Sequence, residues 1–124
     1  MMKRTLLLVM MTTVVFLSYS FNTAKLDEIK TSYASFYHAK FNGRKTANGE
    51  NFDSAKLTAA HKTLPFNALV KVTNLKSNES VIVRINDRGP YVNSRSLDLS
   101  LAAFNSIGHH STGVMAVKYE VLTQ

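Results

Sequence analysis

Hydrophobic and polar residues alternate along four short runs of the chain, which is the pattern of half-buried β-strands. The runs lie at residues 33–37, 69–75, 80–85 and 114–122. In the last run Met115 and Val117 fall on one face and Lys118 falls on the other. A turn-forming segment from Lys76 to Glu79 separates the second and third runs, so these two runs are predicted to form a hairpin.

One segment of the chain has helical spacing. Leu101, Phe104 and Ile107 recur at intervals of three residues and would share one face of a helix. Ser100 is placed to cap the first turn, and Gly108 is placed to end the last one. The sequence therefore predicts a short helix between Ser100 and Gly108.

Turn signals divide the rest of the chain. The Asn48-Gly49 pair favours a type I′ turn, because both residue types tolerate the positive φ angles that this turn needs. Residues 53–60 are predicted to hold a second short helix or a turn. Closely spaced strands with one or two short helices favour a mainly β fold that closes into a compact barrel, rather than a parallel layered sheet.

The first twenty residues have the features of a secretory signal peptide. Lys3 and Arg4 precede an uncharged run at residues 5–17, which is shorter than the roughly 20 apolar residues of a membrane-spanning helix. Ser18 and Ser20 provide the small side chains that a signal peptidase requires, so cleavage after Ser20 is predicted. We expect export to the periplasm or the cell exterior without a stable membrane anchor, with an uncleaved anchor as the alternative.

Length limits the number of domains, and charge limits the class of binding partner. A chain of 124 residues has room for one small domain, here predicted at residues 33–124 after a linker at residues 21–32. Its 15 basic and 8 acidic residues give a net charge of +7, and loss of two basic residues with the signal leaves about +5. In an exported protein, which we expect to be a monomer, this charge favours an anionic envelope polymer over nucleic acid. The sequence contains no cysteine, which excludes disulfide bonds and thiol catalysis.

Asp87 is the carboxylate best placed for catalysis. It follows the apolar run 81–85 and precedes Gly89 and Pro90, and because proline cannot donate to a sheet ladder the strand is expected to end there. Asp87 therefore lies at a strand end beside a loop, where catalytic groups are common. An aspartate that only accepts hydrogen bonds from its own turn is an equally weighted alternative.

Glu50, Asp98 and His61 are further candidates, each with a plainer alternative. Glu50 follows a predicted turn, and Asp98 lies between apolar residues ahead of the helix, where a cap or a supporting carboxylate is expected as often. A lone histidine in apolar surroundings, such as His61, is more often a packing residue than a catalyst. His109 and His110 are not expected to bind a metal, because adjacent side chains on a strand point apart. No metal site and no cofactor are predicted.

Six segments, taken in order, resemble the rare lipoprotein A-like family, the septal ring lytic transglycosylases with a double-psi β-barrel. The segments lie at residues 34–37, 43–53, 57–65, 70–75, 83–90 and 97–100, and the fifth ends in Asn86-Asp87-Arg88-Gly89-Pro90. The resemblance extends from about Tyr33 to Leu122. It implies a mainly β, six-stranded double-psi β-barrel with one or two short helices.

The resemblance also implies an activity, that of an endolytic peptidoglycan lytic transglycosylase in cell wall remodelling. Such an enzyme cuts the glycan between N-acetylmuramic acid and N-acetylglucosamine without adding water and leaves a 1,6-anhydro end. The resemblance implies that Asp87 is the catalytic acid and that Glu50 and His61 are needed for activity. Asp98 matches a carboxylate in the glycan groove of the related expansins. The matched segments add further candidate substrate-binding residues, which are Tyr37, Thr46, Asn48, Asn86 and Arg88.

A single carboxyl group can perform this chemistry. It can protonate the leaving oxygen and then, as a carboxylate, take the proton of the attacking C6 hydroxyl. Burial or a like charge such as Asp98 or Glu50 would help Asp87 to hold that proton. Arg88, the next residue, would oppose this unless its side chain points away.

Two other functions fit the sequence. One is a non-enzymatic, expansin-like module that binds and loosens wall glycan. The other is a glycoside hydrolase that uses Glu50 and Asp87 as a pair, with carboxyl groups about 5–5.5 Å apart for retention or about 6.5–9.5 Å apart for inversion. Family members with a lipobox cysteine are lipid-anchored, and because this sequence has no cysteine a released protein is expected.

Overall fold

The computed structural model describes residues 29–123, which fold into a closed barrel of six strands. The strands are β1 (Lys30–Phe36), β2 (Thr58–Ala60), β3 (Leu69–Asn74), β4 (Ser80–Asp87), β5 (Arg95–Leu99) and β6 (Met115–Thr123). Helix α1 (Leu101–Ile107) follows β5, and short 3₁₀ turns occupy Ala39–Phe41 and His110–Thr112. The predicted signal peptide and residues 21–28 of the predicted linker lie outside the described residues.

The strands follow the order β1-β5-β2-β4-β3-β6 around the barrel, and β6 closes the ring by pairing with β1. The β1–β5 and β2–β4 pairs are parallel, whereas the other four pairs are antiparallel. The predicted hairpin is the antiparallel pair of β3 and β4, in which Val70 lies opposite Val83. The mainly β, six-stranded barrel that the sequence predicts is therefore confirmed.

Apolar side chains from every strand and from α1 fill the interior in one cluster. Its fully buried members include Ala34, Ala59, Val70, Val72, Val83, Ile85, Leu97, Leu99, Phe104 and Val117. The alternation predicted for the last run is confirmed, because Met115 and Val117 face the core while Ala116 is exposed. Burial of each large aliphatic side chain contributes roughly 1.5–3 kcal/mol to folding. Among the described residues, no helix is both long and apolar enough to cross a membrane.

Helix α1 forms where its sequence signals predict it. Ser100 Oγ accepts a hydrogen bond from the third backbone N–H of the helix at 3.3 Å, which satisfies one of the donors that a helix start leaves free. The helix ends before Gly108. Asn74, the last residue of β3, donates its side-chain N–H to the carbonyl oxygen of Ile107 at 2.7 Å, so the barrel also caps the helix end.

Of the second short helix or turn predicted at residues 53–60, the structure contains the turn. Lys56 N donates to Asp53 O at 3.1 Å, which makes a turn, and the following Thr58–Ala60 segment is strand β2. All three residues of β2 are buried between β4 and β5, so no alternation of polar and apolar positions marks this strand in the sequence.

Two further local predictions are corrected. In the loop before Glu50 only Gly49 has a positive φ, +94°, and its N–H donates to Thr46 O at 3.0 Å, so the turn is centred one residue earlier than a type I′ turn at Asn48-Gly49 would be. The barrel begins at Lys30, not at residue 33, because residues 30–32 pair with β6. These three residues are polar or exposed, which is why they resemble a linker.

Candidate active site

The strand register brings two aspartates into one row across the barrel. Ser35 of β1 pairs with Asp98 of β5, Asp98 pairs with Ala60 of β2, and Ala60 pairs with Asp87 of β4. A register shift ahead of Ala60 skips one residue of β4, which makes Asp87 its partner. The two aspartates therefore lie on the two strands that flank β2, and each pairs with Ala60.

Asp87 is the last residue of β4, and three donors fix its carboxylate. The Tyr37 hydroxyl donates to Oδ2 at 2.5 Å. The backbone N–H groups of Ala47 and Arg88 both donate to Oδ1 at 2.9 Å. The Arg88 contact is the local turn bond that a purely structural aspartate would make, but the other two donors come from distant segments. Asp87 is therefore oriented by the fold and not only by its own turn.

Tyr37 is itself held firmly. It follows the last residue of β1, and its backbone N–H donates to Leu99 O at 3.0 Å. Its ring packs edge-on against Phe52, with centroids 4.9 Å apart, and against Phe41 at 6.1 Å. Burial, followed by the hydrogen bond and charge of Asp87, raises the pKa of the Tyr37 hydroxyl. The hydroxyl therefore stays protonated and remains a donor to Asp87.

A cleft of about 220 Å³ opens beside Asp87. Its lining combines aromatic, cationic and hydroxyl side chains from Tyr37, Phe41, Phe52, Arg44, Lys45 and Thr46. Apolar walls with a few polar groups are typical of small-ligand sites. Two predicted substrate-binding residues, Tyr37 and Thr46, thus lie in this cleft. A separate depression of about 290 Å³ over β3 and β6 contains none of the candidate residues.

Asp98 is a second carboxyl group with altered acidity. Burial raises its pKa from 3.8 to about 6, against the opposing effect of a hydrogen bond from Ser35 Oγ to Oδ1 at 3.1 Å. The negative charge of Asp87 raises it further by a smaller amount. Asp98 therefore changes its charge near neutral pH, in the same row as Asp87.

Glu50 is held as a permanent anion. Arg84 donates to both of its carboxylate oxygens, at 2.6 and 2.7 Å, and Asn48 Nδ2 donates to Oε1 at 2.8 Å. These bonds, led by that of Arg84, lower the pKa of Glu50 to about 2. Glu50 has no proton to give near neutral pH, so it cannot serve as a general acid in this arrangement.

The Glu50 ion pair organises the loop that reaches Asp87. Asn48 Oδ1 accepts hydrogen bonds from Thr46 Oγ1 at 2.5 Å and from Glu50 N at 3.1 Å. The same loop presents the Ala47 N–H to Asp87. Glu50 and Asn48 thus act on Asp87 through the loop, and a direct catalytic role for Glu50 stays a prediction.

His61 has a structural environment. Its Nδ1 accepts hydrogen bonds from the backbone N–H groups of Thr63 and Leu64 at 3.1 and 3.0 Å, so this nitrogen carries no proton. Burial lowers the pKa of His61, with smaller effects of Lys30 and nearby cations. Its ring contacts Tyr119, with centroids 5.9 Å apart, and does not line the cleft. Its backbone N–H donates to Asp87 O at 3.2 Å, and a catalytic role for the ring stays a prediction.

The side chains of Arg88 and Asn86 are held by contacts with other residues of the barrel. The Arg88 guanidinium lies 4.0 Å from the Phe66 ring centroid and donates to the carbonyl oxygens of His61 and Leu64, so it points away from the Asp87 carboxylate. Asn86 is only 3% exposed, and its amide faces Glu50 at 3.4 Å. One side chain is engaged elsewhere and the other is buried, and a substrate-binding role for the two stays a prediction.

The two adjacent histidines differ from the expectation that their side chains point apart. His109 and His110 lie at a 3₁₀ turn, not on a strand, and their rings stack with centroids 4.4 Å apart. Within residues 29–123, no group of three or more histidine and carboxylate side chains is arranged to hold a metal ion.

Sequence reasoning missed two residues of this site. Arg84 is 34 positions from Glu50, and Ser35 is 63 positions from Asp98, so neither pairing has a local signal. Both residues fall in segments that carry the family resemblance, which is the one sign that could have drawn attention to them.

Comparisons with known proteins agree with the barrel. Residues 29–119 match the double-psi β-barrel family model described as "Lytic transglycolase". The chain is 52% identical over 99 residues to a probable endolytic peptidoglycan transglycosylase RlpA of Synechocystis, and 54% identical over 101 residues to endolytic peptidoglycan transglycosylase RlpA of Haemophilus influenzae. These matches cover 80% and 82% of this chain but 31% and 35% of the relatives. The chain thus spans about a third of the length of these curated relatives.

A solved structure shares the architecture. The apo expansin of Clavibacter michiganensis is similar with a TM-score of 0.64 and 17% identity, over 78% of this chain and 52% of that one. At this level of identity the likeness shows the fold alone, whereas the family match covers nearly all of the described residues. This chain therefore belongs to the lytic transglycolase family of double-psi β-barrels.

Proposed function

We propose that this chain is a peptidoglycan lytic transglycosylase domain whose catalytic residue is Asp87. The observation that carries the proposal is the setting of Asp87, which lies beside the cleft, is oriented by three donors and shares a row with Asp98. The curated relatives are named endolytic peptidoglycan transglycosylases, which supports glycan strands of peptidoglycan as the substrate.

The hydrogen bonds indicate which oxygen of Asp87 exchanges the proton. Oδ1 accepts two backbone N–H groups, whereas Oδ2 accepts one hydrogen bond, from the Tyr37 hydroxyl, and keeps a lone pair for the exchanged proton. The carboxylic acid gives its proton to the leaving N-acetylglucosamine oxygen as the bond to C1 of N-acetylmuramic acid breaks with oxocarbenium character. The C6 hydroxyl then attacks C1, and the carboxylate takes its proton. The acid form is regenerated, and no water is consumed.

The surrounding groups favour this cycle. The Tyr37 hydroxyl stabilises the carboxylate that remains after proton donation, because hydrogen bonds to an ionised acceptor are stronger than neutral ones. Asp98, whose own pKa burial raises to about 6, lies in the same row. The guanidinium of Arg88, the residue next to Asp87, is engaged with Phe66.

The two alternative functions fare differently. A glycoside hydrolase that uses Glu50 and Asp87 as a pair is disfavoured, because Arg84 donates hydrogen bonds to both carboxylate oxygens of Glu50. A non-catalytic module that binds wall glycan remains the second candidate, because the barrel is shared with an expansin. The cleft beside Asp87 would serve either function.

The proposed substrate sets the location. Peptidoglycan lies outside the cytoplasm, and the predicted signal peptide at residues 1–20 supports export to that compartment. The excess of basic residues supports attraction to the anionic wall.

Mass spectrometry of digested sacculi tests the proposal. The chain is incubated with purified peptidoglycan, and the soluble products are analysed for the form of their N-acetylmuramic acid ends. We expect 1,6-anhydro ends, which disappear in the Asp87→Asn variant. Reducing ends would instead identify a hydrolase, and binding without soluble products would identify the wall-binding module.

A further inference from the structure

Tyr91 is an aromatic side chain that the fold does not use. It is 82% exposed, whereas the next most exposed large apolar side chain of the described residues, Ile29, is 58% exposed. Val92 beside it is 42% exposed and extends the apolar surface. A tyrosine so far in solvent contributes little packing to the barrel, and apolar surface held in water commonly marks a binding site.

The backbone turn after β4 places this ring close to the strand end that carries Asp87. A Cβ added to Gly89 would lie 3.7 Å from Tyr91 Cε2, so the edge of the ring rests over the backbone two residues after Asp87. Gly89 has a φ of +120°, a conformation that side chains rarely adopt, and this turn brings the ring back toward the strand end.

We propose that the Tyr91 ring is a stacking platform for one pyranose ring of the glycan, next to the bond held at Asp87. The proposal rests on the proposed function. One face of a pyranose presents C–H groups, and these pack against the electron-rich face of an aromatic ring. The ring is exposed to solvent two residues beyond the backbone turn that follows Asp87, so it can contact a polymer that runs across the barrel surface. Such a contact needs the ring of Tyr91 but not its hydroxyl.

Binding measured without turnover tests the platform. Asp87→Asn is the parent, and it is compared with Tyr91→Ala, Tyr91→Phe and Tyr33→Ala made in the same parent. Tyr33 is the matched control, because it is 50% exposed and lines a different depression, with Thr31 and Ser94. The probe is purified sacculi in a pelleting assay, at raised salt so that charge attraction is screened.

We expect Tyr91→Ala to weaken binding roughly three- to tenfold, the size of an aromatic contact. Tyr91→Phe and Tyr33→Ala should bind like the parent, and all four proteins should melt alike because both tyrosines are exposed. Unchanged binding of Tyr91→Ala overturns the platform, and an equal loss in Tyr91→Phe shows a hydroxyl contact in its place and also overturns it. A parent that does not bind, together with an unaltered chain that does not cleave sacculi, overturns the proposed function as well.

Discussion

Asp98 and Glu50 are both carboxylates, but the barrel strand and the loop hold them in opposite ways. Asp98 lies on β5, largely buried, and accepts a hydroxyl bond from Ser35, so its pKa rises to about 6. Glu50 lies on an exposed loop with both oxygens on Arg84, and its pKa falls to about 2. The strand therefore provides a group that can change charge near neutrality, whereas the loop provides a fixed anion that holds backbone in place.

The largest expected effect comes from substituting Asp87. The loop that carries Glu50 donates a hydrogen bond to Asp87, and Asp98 lies in the same row of the barrel. Asp87→Asn keeps size and polarity but removes the titrating proton, so anhydro-product formation should fall by about 10²–10⁴-fold or more. The measurement is the yield of anhydro ends by mass spectrometry beside a melting curve. Glu79→Gln, an exposed carboxylate outside the cleft, is the control and should retain full activity. Near-normal cleavage by a folded Asp87→Asn would show that Asp87 is a turn residue.

Asp98 should make the folded state less stable as the pH rises. Its pKa is raised in the folded chain, so between pH 3.8 and about 6 the folded state holds a proton that the unfolded state loses. The loss of stability reaches up to about 3 kcal/mol above pH 6, and Asp98→Asn should escape it. Urea unfolding of both proteins from pH 4 to 7 measures the difference. If the free energy of unfolding depends on pH in the same way in the two proteins, Asp98 does not have the raised pKa described above.

Glu50 should show the opposite trend. Its pKa is lowered in the folded chain, so its contribution to stability is present above pH 4.5 and is lost as the pH falls toward 2. Glu50→Gln should therefore be less stable than the unaltered chain at neutral pH and approach it in acid. The same urea titrations, extended to pH 2.5, provide the measurement. A Glu50→Gln chain with undiminished neutral stability would show that the ion pair contributes nothing.

Glu50 should affect catalysis through Arg84 and the loop. We expect Glu50→Gln and Arg84→Gln each to reduce turnover by at most about a hundredfold, because each lets the loop donor to Asp87 shift. The double variant should be little worse than either single one, since both changes break one interaction. Additive losses in this cycle would assign Glu50 a separate role at the substrate.

Salt should produce the smallest effect, because it acts on charges that neither carboxylate region uses. The mature chain carries about +5, and exposed charges are screened over about 8–10 Å at 0.10–0.15 M salt. Co-sedimentation of the protein with peptidoglycan should weaken gradually as salt is added. Binding that does not depend on salt would leave the cleft contacts as the source of affinity.

Local features could be predicted from the sequence, and long-range ones could not. Helix α1 has a serine cap and a three-residue apolar spacing, and the β3–β4 hairpin has alternation on both sides of a turn, so both are visible in a short window. Strand β2 is three residues long and buried throughout, so it offers no contrast of polar and apolar positions. Strand β2 can be recognised only when the strands on either side of it, β4 and β5, are known.

The site divides in the same way. Asp87 could be predicted as a strand-end carboxylate, because Gly89 and Pro90 show where its strand stops. The burial of Asn86 and the direction of the Arg88 side chain could not be predicted, since they depend on Glu50 and Phe66, which only the closed barrel brings near. Chemical type and location are local properties, whereas acidity and access depend on the whole fold.

The closure of the barrel by β6 has a consequence for how the chain acquires its structure. Because β6 pairs with both β1 and β3, the ring stays open until residues 115–123 are available. Two of the pairings, β1 with β5 and β1 with β6, join segments far apart in the chain, and such non-local topologies fold slowly. A chain emerging N-terminus first therefore cannot complete its core before its last strand appears.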